Sequence, residues 1–236
     1  MNPVLIFRHS STEGAGYFSE FLERHAIPWK LIRIDAGDAL PDTLNGISGL
    51  CLMGGPMSVN DALPWIAQEL DLIRQAVERD IPVIGHCLGG QLLAKATGGI
   101  VTQNPLKEIG WGEVRVTNTD VAEEWVGKNT QSMNVFHWHG ETFSIPPNAV
   151  RILDSAHCAN QAFILNNRHV GMQCHVEMTP AMVREWSENG ADEISASSGP
   201  AVQTAAAMQS GLDTHTRQLH GIADKIYTRW IQGLQQ

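Results

Sequence analysis

Basic residues are scarce in this chain. Lys and Arg number 16 against 25 Asp and Glu, for a formal net charge of −9, and no basic run occurs. That balance predicts no nucleic-acid partner. Long apolar runs are missing too. No stretch approaches the ~20 residues of a membrane span, so no membrane partner is expected. Met1-Asn2-Pro3 and a short apolar run lead straight to Arg8, which does not read as a signal peptide. The cysteines are four, Cys51, Cys87, Cys158 and Cys174, widely spaced and without a Cys-x-x-Cys pair. A reducing, cytoplasmic setting is the expectation. No internal repeat, low-complexity block, P-loop or Gly-rich phosphate motif is present. What remains is 236 residues, 43% of them hydrophobic, enough for one larger domain or a domain with an appendage.

The apolar pattern alternates between two periods. Pro3 to His9, Trp29 to Ile34, Gly49 to Met53 and the run ending at Gly85 read as strands. Gly14 to His25 and Leu63 to Arg79 read as helices, the second with Ile66, Leu70, Ile73 and Val77 at helical spacing. This order predicts an α/β fold with a mostly parallel sheet and helices on both faces. After Thr97-Gly98-Gly99 the strands shorten. Val114 to Thr117, Met133 to His137, Val150 to Leu153, Gln161 to Leu165 and His169 to Cys174 suggest an antiparallel extension, with the chain rejoining the main sheet at His175. Thr179-Pro180 looks like a cap and first turn for a helix over Ala181 to Glu188. Gly190 to Pro200 reads as a linker-like loop. Leu219, Ile222, Ile226, Trp230 and Leu234 form a helical stripe expected to pack on the domain, with a homodimer contact as the other use. The division expected is 1–190 for the catalytic domain and 191–236 for a C-terminal helical extension.

One stretch carries the most chemistry: Pro82-Val83-Ile84-Gly85-His86-Cys87-Leu88-Gly89-Gly90-Gln91. An apolar run stops at a glycine, and a cysteine follows two residues later. A second glycine follows two further on, and a helical segment begins. A strand that turns sharply into a helix around one side chain has this layout, because the crowded bend tolerates only small neighbours. A cysteine in the first turn of a helix meets the positive end of the dipole, which favours a thiolate nucleophile.

A thiolate needs a base, and the base an orienter. In Gln173-Cys174-His175-Val176-Glu177 the residues two apart point the same way in extended backbone, so Glu177 can hold one nitrogen of His175 and leave the other for Cys87. Leu50-Cys51-Leu52-Met53 runs into Gly54-Gly55-Pro56, a strand-end turn able to expose the Gly55 N–H. With the N–H of Leu88 it would form an oxyanion hole, each donor worth roughly 3 kcal/mol.

Together these motifs resemble the class I, triad-type glutamine amidotransferase domain. Gly85-His86-Cys87-Leu88-Gly89-Gly90-Gln91 matches its elbow, and Gly54-Gly55-Pro56 its oxyanion strand. Gln173-Cys174-His175-Val176-Glu177 matches its closing motif, with Cys174 in place of an aromatic residue and Val176 in place of proline. Phe136-His137-Trp138-His139-Gly140-Glu141 is similar to a segment of the amidotransferase half of GMP synthase, with Glu141 where Asp is commoner. The resemblance runs from about Val4 to about Pro180. It implies a flavodoxin-like fold and ammonia release from the glutamine side chain by Cys87, His175 and Glu177. It further implies substrate contacts at Gly54, Gln91, Trp138 and His139, no cofactor, and an ammonia-accepting synthetase, fused or supplied in trans in the family; with no such segment here, a separate partner chain is the expectation. Two alternatives stand beside it. One is a stand-alone hydrolase of γ-glutamyl peptides or conjugates. The other is a non-catalytic flavodoxin-like binding module.

Other polar residues have blander readings. His86 borders the nucleophile and is expected to make a structural hydrogen bond. His137 and His139 share one strand face, but without a third ligand at suitable spacing no metal site is expected. Arg8 and His9 end the first strand and could line the same cleft. Cys51 and Cys174 read as buried packing, and Trp111 and Trp125 as core or pocket wall.

Overall fold

The computed structural model describes residues 1–117 and 119–235. The first half alternates strand and helix: β1 (Val4–Arg8), α1 (Gly16–Arg24), β2 (Trp29–Arg33), β3 (Gly49–Leu52), α2 (Pro64–Glu78), β4 (Val83–His86) and α3 (Leu88–Ala96). The second half holds β5 (Val101–Val116), α4 (Asp120–Val126), β6 (Ser132–Phe143), β7 (Ala149–Ser155), β8 (Ala162–Leu165) and β9 (His169–Met172). Four helices follow: α5 (Pro180–Asn189), α6 (Ala191–Ala196), α7 (Ala205–Gln209) and α8 (Leu212–Ile231).

These strands form one sheet in the order β2-β1-β3-β4-β9-β8-β7-β5-β6. The first five are parallel neighbours, and the last four run antiparallel. The inner strands are short and apolar because both of their faces are covered. Alternate residues enter different cores. Val4, Ile6, Cys51 and Ile84 pack with α1, α5 and α8; Leu5, Phe7, Leu50, Leu52 and Val83 pack with α2 and α3.

The antiparallel strands extend the main sheet, as expected. Four details differ from the sequence expectations. The chain rejoins the parallel half at β9, through Ile84↔Val170, Gly85↔Gly171 and His86↔Met172, before His175 is reached. β5 begins at Val101, because a register shift between Gln103 and Glu108 takes up Pro105 without ending the strand. The segment after Gly190 is helix α6 rather than a loop. Helix α4, unexpected from the sequence, is started by Thr119, whose hydroxyl accepts from Ala122 N–H at 3.0 Å.

Thr179 does cap α5, accepting from Met182 N–H, with Pro180 at the first helical position. On α8 the buried face is Leu219, Ala223, Ile226, Tyr227 and Trp230, while Ile222, and Leu234 beyond the helix end, are only partly covered.

Candidate active site

Cys87 sits between β4 and α3 with φ 50° and ψ −107°, a conformation costing an ordinary residue about 1–3 kcal/mol. The glycines on either side explain how the bend closes. A Cβ on Gly85 would strike the backbone of Gly89, and a Cβ on Gly89 the carbonyl of Leu52. Cys87 N–H donates to Met172 O at 2.8 Å, which fixes the bend to β9. The Gln173 amide donates toward the Cys87 sulfur at 3.5 Å, and Trp138 O lies 3.8 Å from that sulfur.

His175 and Glu177 lie just past β9 in extended backbone. His175 exchanges backbone hydrogen bonds with Phe136 at 2.8 and 3.3 Å, and Glu177 O accepts from Tyr17 N–H at 2.9 Å. The side chains meet at 2.6 Å, His175 Nδ1 to Glu177 Oε1, both 1% exposed. His175 Nε2 and Glu177 Oε2 have no hydrogen-bond partner. Burial opposes charge on the imidazole. The Glu177 carboxylate and the nearby Cys87 sulfur outweigh it and raise the pKa of His175 well above its usual value. Burial likewise opposes the Glu177 carboxylate, yet His175 and then His86 bring it down to about 2. The structure therefore brings Cys87, His175 and Glu177 into one buried row.

Gly55 and Leu88, the residues of the two candidate N–H donors, are neighbours. A Cβ on Gly55 would come within 2.9 Å of Leu88 Cδ2 and 2.6 Å of Met57 Sδ. Gly54 lies deeper: a Cβ there would strike the Glu13 carboxylate and approach His175 Cε1 to 3.3 Å. In front is a cavity of about 510 Å³ lined by Gly55, Cys87, Gln91, Trp138 and His139. Gln91 donates to Gln173 Oε1 at 3.1 Å, so its amide is tied to the residue that faces the sulfur. Trp138 Nε1 donates to Glu193 Oε2 at 2.8 Å. Both nitrogens of His139 are engaged behind the wall, by Glu141 O and Glu108 Oε2, each at 2.9 Å. Neither ring nitrogen is left for a ligand in the cavity.

The open question over β1 closes the other way. Arg8 pairs with Asp35 at 2.8 Å and His9 with Glu69 at 3.1 Å, and neither lines this cavity. His86 bonds the Tyr227 hydroxyl at 3.0 Å, and burial lowers its pKa.

Sequence alone does not point to Glu13. It lies in the cavity wall beside His175, on the loop after β1. Burial first, then the Glu177 carboxylate, push its pKa up to about 7 against the pull of His175 and His9. The one signal for it is position, since ligands in such sheets gather beyond the carboxyl ends of strands. Trp186 of α5 is equally silent in the sequence. It stands edge-on to His175 at 5.0 Å and donates to Thr12 O at 2.8 Å.

The family model for glutamine amidotransferase class-I matches residues 20–192. The chain belongs to this family. One relative, the glutamine amidotransferase-like protein YfeJ of Salmonella typhimurium, is 31% identical over 81% of this chain and 82% of its own length. The GMP synthase of Paraburkholderia phytofirmans is 32% identical over 56% of the chain, which spans 25% of that larger protein. Among solved structures, a glutamine amidotransferase from Methylobacillus flagellatus superposes with TM-score 0.97 and 47% identity, covering 100% of this chain and 96% of the other. One from Thermotoga maritima has TM-score 0.87 and 26% identity, covering 98% of each. The mostly parallel flavodoxin-like sheet is thus this class-I family's fold. No helix among the described residues is long and apolar enough to cross a membrane.

Proposed function

We propose that this class-I chain hydrolyses γ-glutamyl amides, glutamine first among them, through Cys87, His175 and Glu177. The Cys87 sulfur attacks the side-chain carbonyl carbon. The N–H groups of Gly55 and Leu88 receive the oxyanion, and His175, held at Nδ1 by Glu177, protonates the departing ammonia. A water activated by the same imidazole then cleaves the thioester and frees glutamate. The observation that carries the reading is a buried imidazole with one nitrogen taken by a carboxylate and the other left free beside the elbow cysteine. Gly54, Gln91, Trp138 and His139 form the substrate's surroundings in this reading, and His139 serves as wall. Residues 191–236 act as an extension of the 1–190 catalytic unit, since α6 supplies Glu193 to the cavity rim.

The ammonia acceptor would belong to a synthetase on another chain. That proposal rests on likeness to proteins such as a glutamine-hydrolyzing GMP synthase component from Sulfurisphaera tokodaii, of which this chain spans 64%. One observation favours a second substrate class. The cavity of about 510 Å³ runs on past Cys87 to Asn189 and Glu193, leaving room for an amine larger than ammonia on the γ-carbonyl.

The test is to incubate the chain with glutamine and with γ-glutamyl peptides and to measure ammonia and free amine. Thiol labelling by a glutamine-like electrophile is followed in parallel. Labelling at Cys87, and turnover that Cys87→Ala abolishes without altering the fold, is the expected result. Turnover retained by Cys87→Ala would overturn the assignment, as would inertness in both assays.

A further inference from the structure

The structure assigns a second chemistry to the back of the cavity wall: we propose that Glu108, His137 and His139 bind one divalent late first-row cation, zinc by ligand type. His137 and His139 leave β6 on the face opposite to Trp138, and Glu108 stands directly across from His139 in the β5–β6 register. The three are 3%, 2% and 5% exposed, and their ligand atoms lie within 4.8 Å of one another. The spacing of the two histidines offers no third ligand in the sequence. Glu108 supplies it from the neighbouring strand.

Two features of the hydrogen bonding call for a cation. Both nitrogens of His137 are buried and neither makes a hydrogen bond of good geometry, the Gly112 backbone lying against the ring, so this imidazole keeps a lone pair enclosed in protein. His139 faces acceptors on both sides, Glu141 O and Glu108 Oε2. The carbonyl can only accept, so Nδ1 carries the hydrogen, and Nε2 then meets a carboxylate oxygen. A proton or a metal ion must lie between them. An imidazolium–carboxylate pair would explain His139 but would leave His137 without a purpose.

The surroundings fit a metal centre. The Nδ1–H of His139 held by a carbonyl is the usual outer support of a metal-binding histidine, and Ser155 and Gln161 fix the carboxylate, donating to it at 2.8 and 2.6 Å. Gly112, on β5 beside His137, leaves the room that a side chain would fill. A Cβ on Gly112 would come within 3.0 Å of His137 Nε2. A cavity of about 340 Å³ reaches Glu108, His137 and Ser155 from outside, offering an entry path and a water for the fourth position. Two imidazoles and one carboxylate suit zinc, whose bonds of about 2.0–2.2 Å would draw His137 in and part His139 Nε2 slightly from Glu108 Oε2 by side-chain rotation. The ion would pin β5 to β6 behind Trp138 and Glu141.

The test uses the full chain stripped with a chelator and carrying Cys87→Ala, because the Cys87 sulfur and His175 could themselves capture zinc. Titration with zinc chloride is expected to show one equivalent bound with micromolar or tighter affinity and a rise in the unfolding midpoint. His137→Gln is expected to weaken binding at least tenfold. X-ray absorption at the zinc edge is expected to show only nitrogen and oxygen ligands, with imidazole scattering; this readout needs no folded His137 variant. Absence of zinc binding, unchanged affinity in His137→Gln, or sulfur in the zinc shell would each overturn the site. A water filling the small cavity instead of an ion would appear as the first of these. None of these readouts depends on amide hydrolysis, so failure here leaves the catalytic reading where it was.

Discussion

Two buried histidine–carboxylate pairs flank the same strand, and only one of them faces a sulfur. His175–Glu177 closes at 2.6 Å between residues two apart, and its second nitrogen is free. His139–Glu108 closes at 2.9 Å across two strands, and its second nitrogen is spent on Glu141 O. Burial, partner type and distance are nearly the same. The use of the remaining nitrogen differs, and with it the chemistry each pair can do. A carboxylate-held imidazole can move a proton to a substrate only when its far side is unengaged and a nucleophile stands there. His9–Glu69 repeats the second pattern, with Met53 O taking the other nitrogen at 2.9 Å.

Substitution should separate the pairs sharply. His175→Gln should lower kcat for glutamine hydrolysis by about 10⁴–10⁶-fold with little change in unfolding midpoint. Glu177→Gln should lower it by about 10⁴-fold, because the imidazole loses its orientation while the sulfur remains. His139→Gln should do the reverse. It leaves the Glu108 charge buried without its partner, so metal-stripped protein should lose about 3 kcal/mol of stability, or about 6–12 °C in midpoint, while kcat falls by less than about tenfold. Steady-state kinetics beside thermal unfolding of all three variants would show it. Equal loss of turnover in His139→Gln and Glu177→Gln would erase the distinction.

Residues that work with near neighbours in the chain are readable. Gly85, Cys87 and Gly89 announce the elbow because the steric demand of the bend falls within a few consecutive residues. His175 and Glu177 announce their pairing because extended backbone sets i and i+2 on one side. The parallel strands are readable from continuous apolar runs such as Val83-Ile84. Glu108 is not, since its partner is chosen by the β5–β6 register, and that register includes an irregularity after Gln103 that no local pattern reveals. The short helix α6 cannot display a helical period, so small and polar side chains there read as a loop. The same segment brings Glu193 to Lys107 at 2.6 Å and to Trp138, at the cavity rim. Glu13 belongs to no motif, and its significance comes from burial beside His175, a property of the assembled site.

The smallest expected effect is at Glu13, and it extends the comparison to a carboxylate with no histidine of its own. Its pKa rises to about 7 from a usual 4.5, through burial and then the charge of Glu177. Between those two values the folded chain holds a proton that the unfolded chain has released. Stability contributed by this group is therefore full below pH 4.5 and lost as pH rises to about 7. Glu177 has the opposite sign: with its pKa lowered to about 2, its contribution is present above pH 4.5 and disappears toward pH 2. Glu13→Gln removes only the first dependence. The midpoint of the variant minus that of the parent should grow from pH 4.5 to about 7 and level off beyond. A constant offset across that range would mean that Glu13 titrates as an ordinary surface carboxylate, and the upward pressure of burial and Glu177 upon it would have to be abandoned.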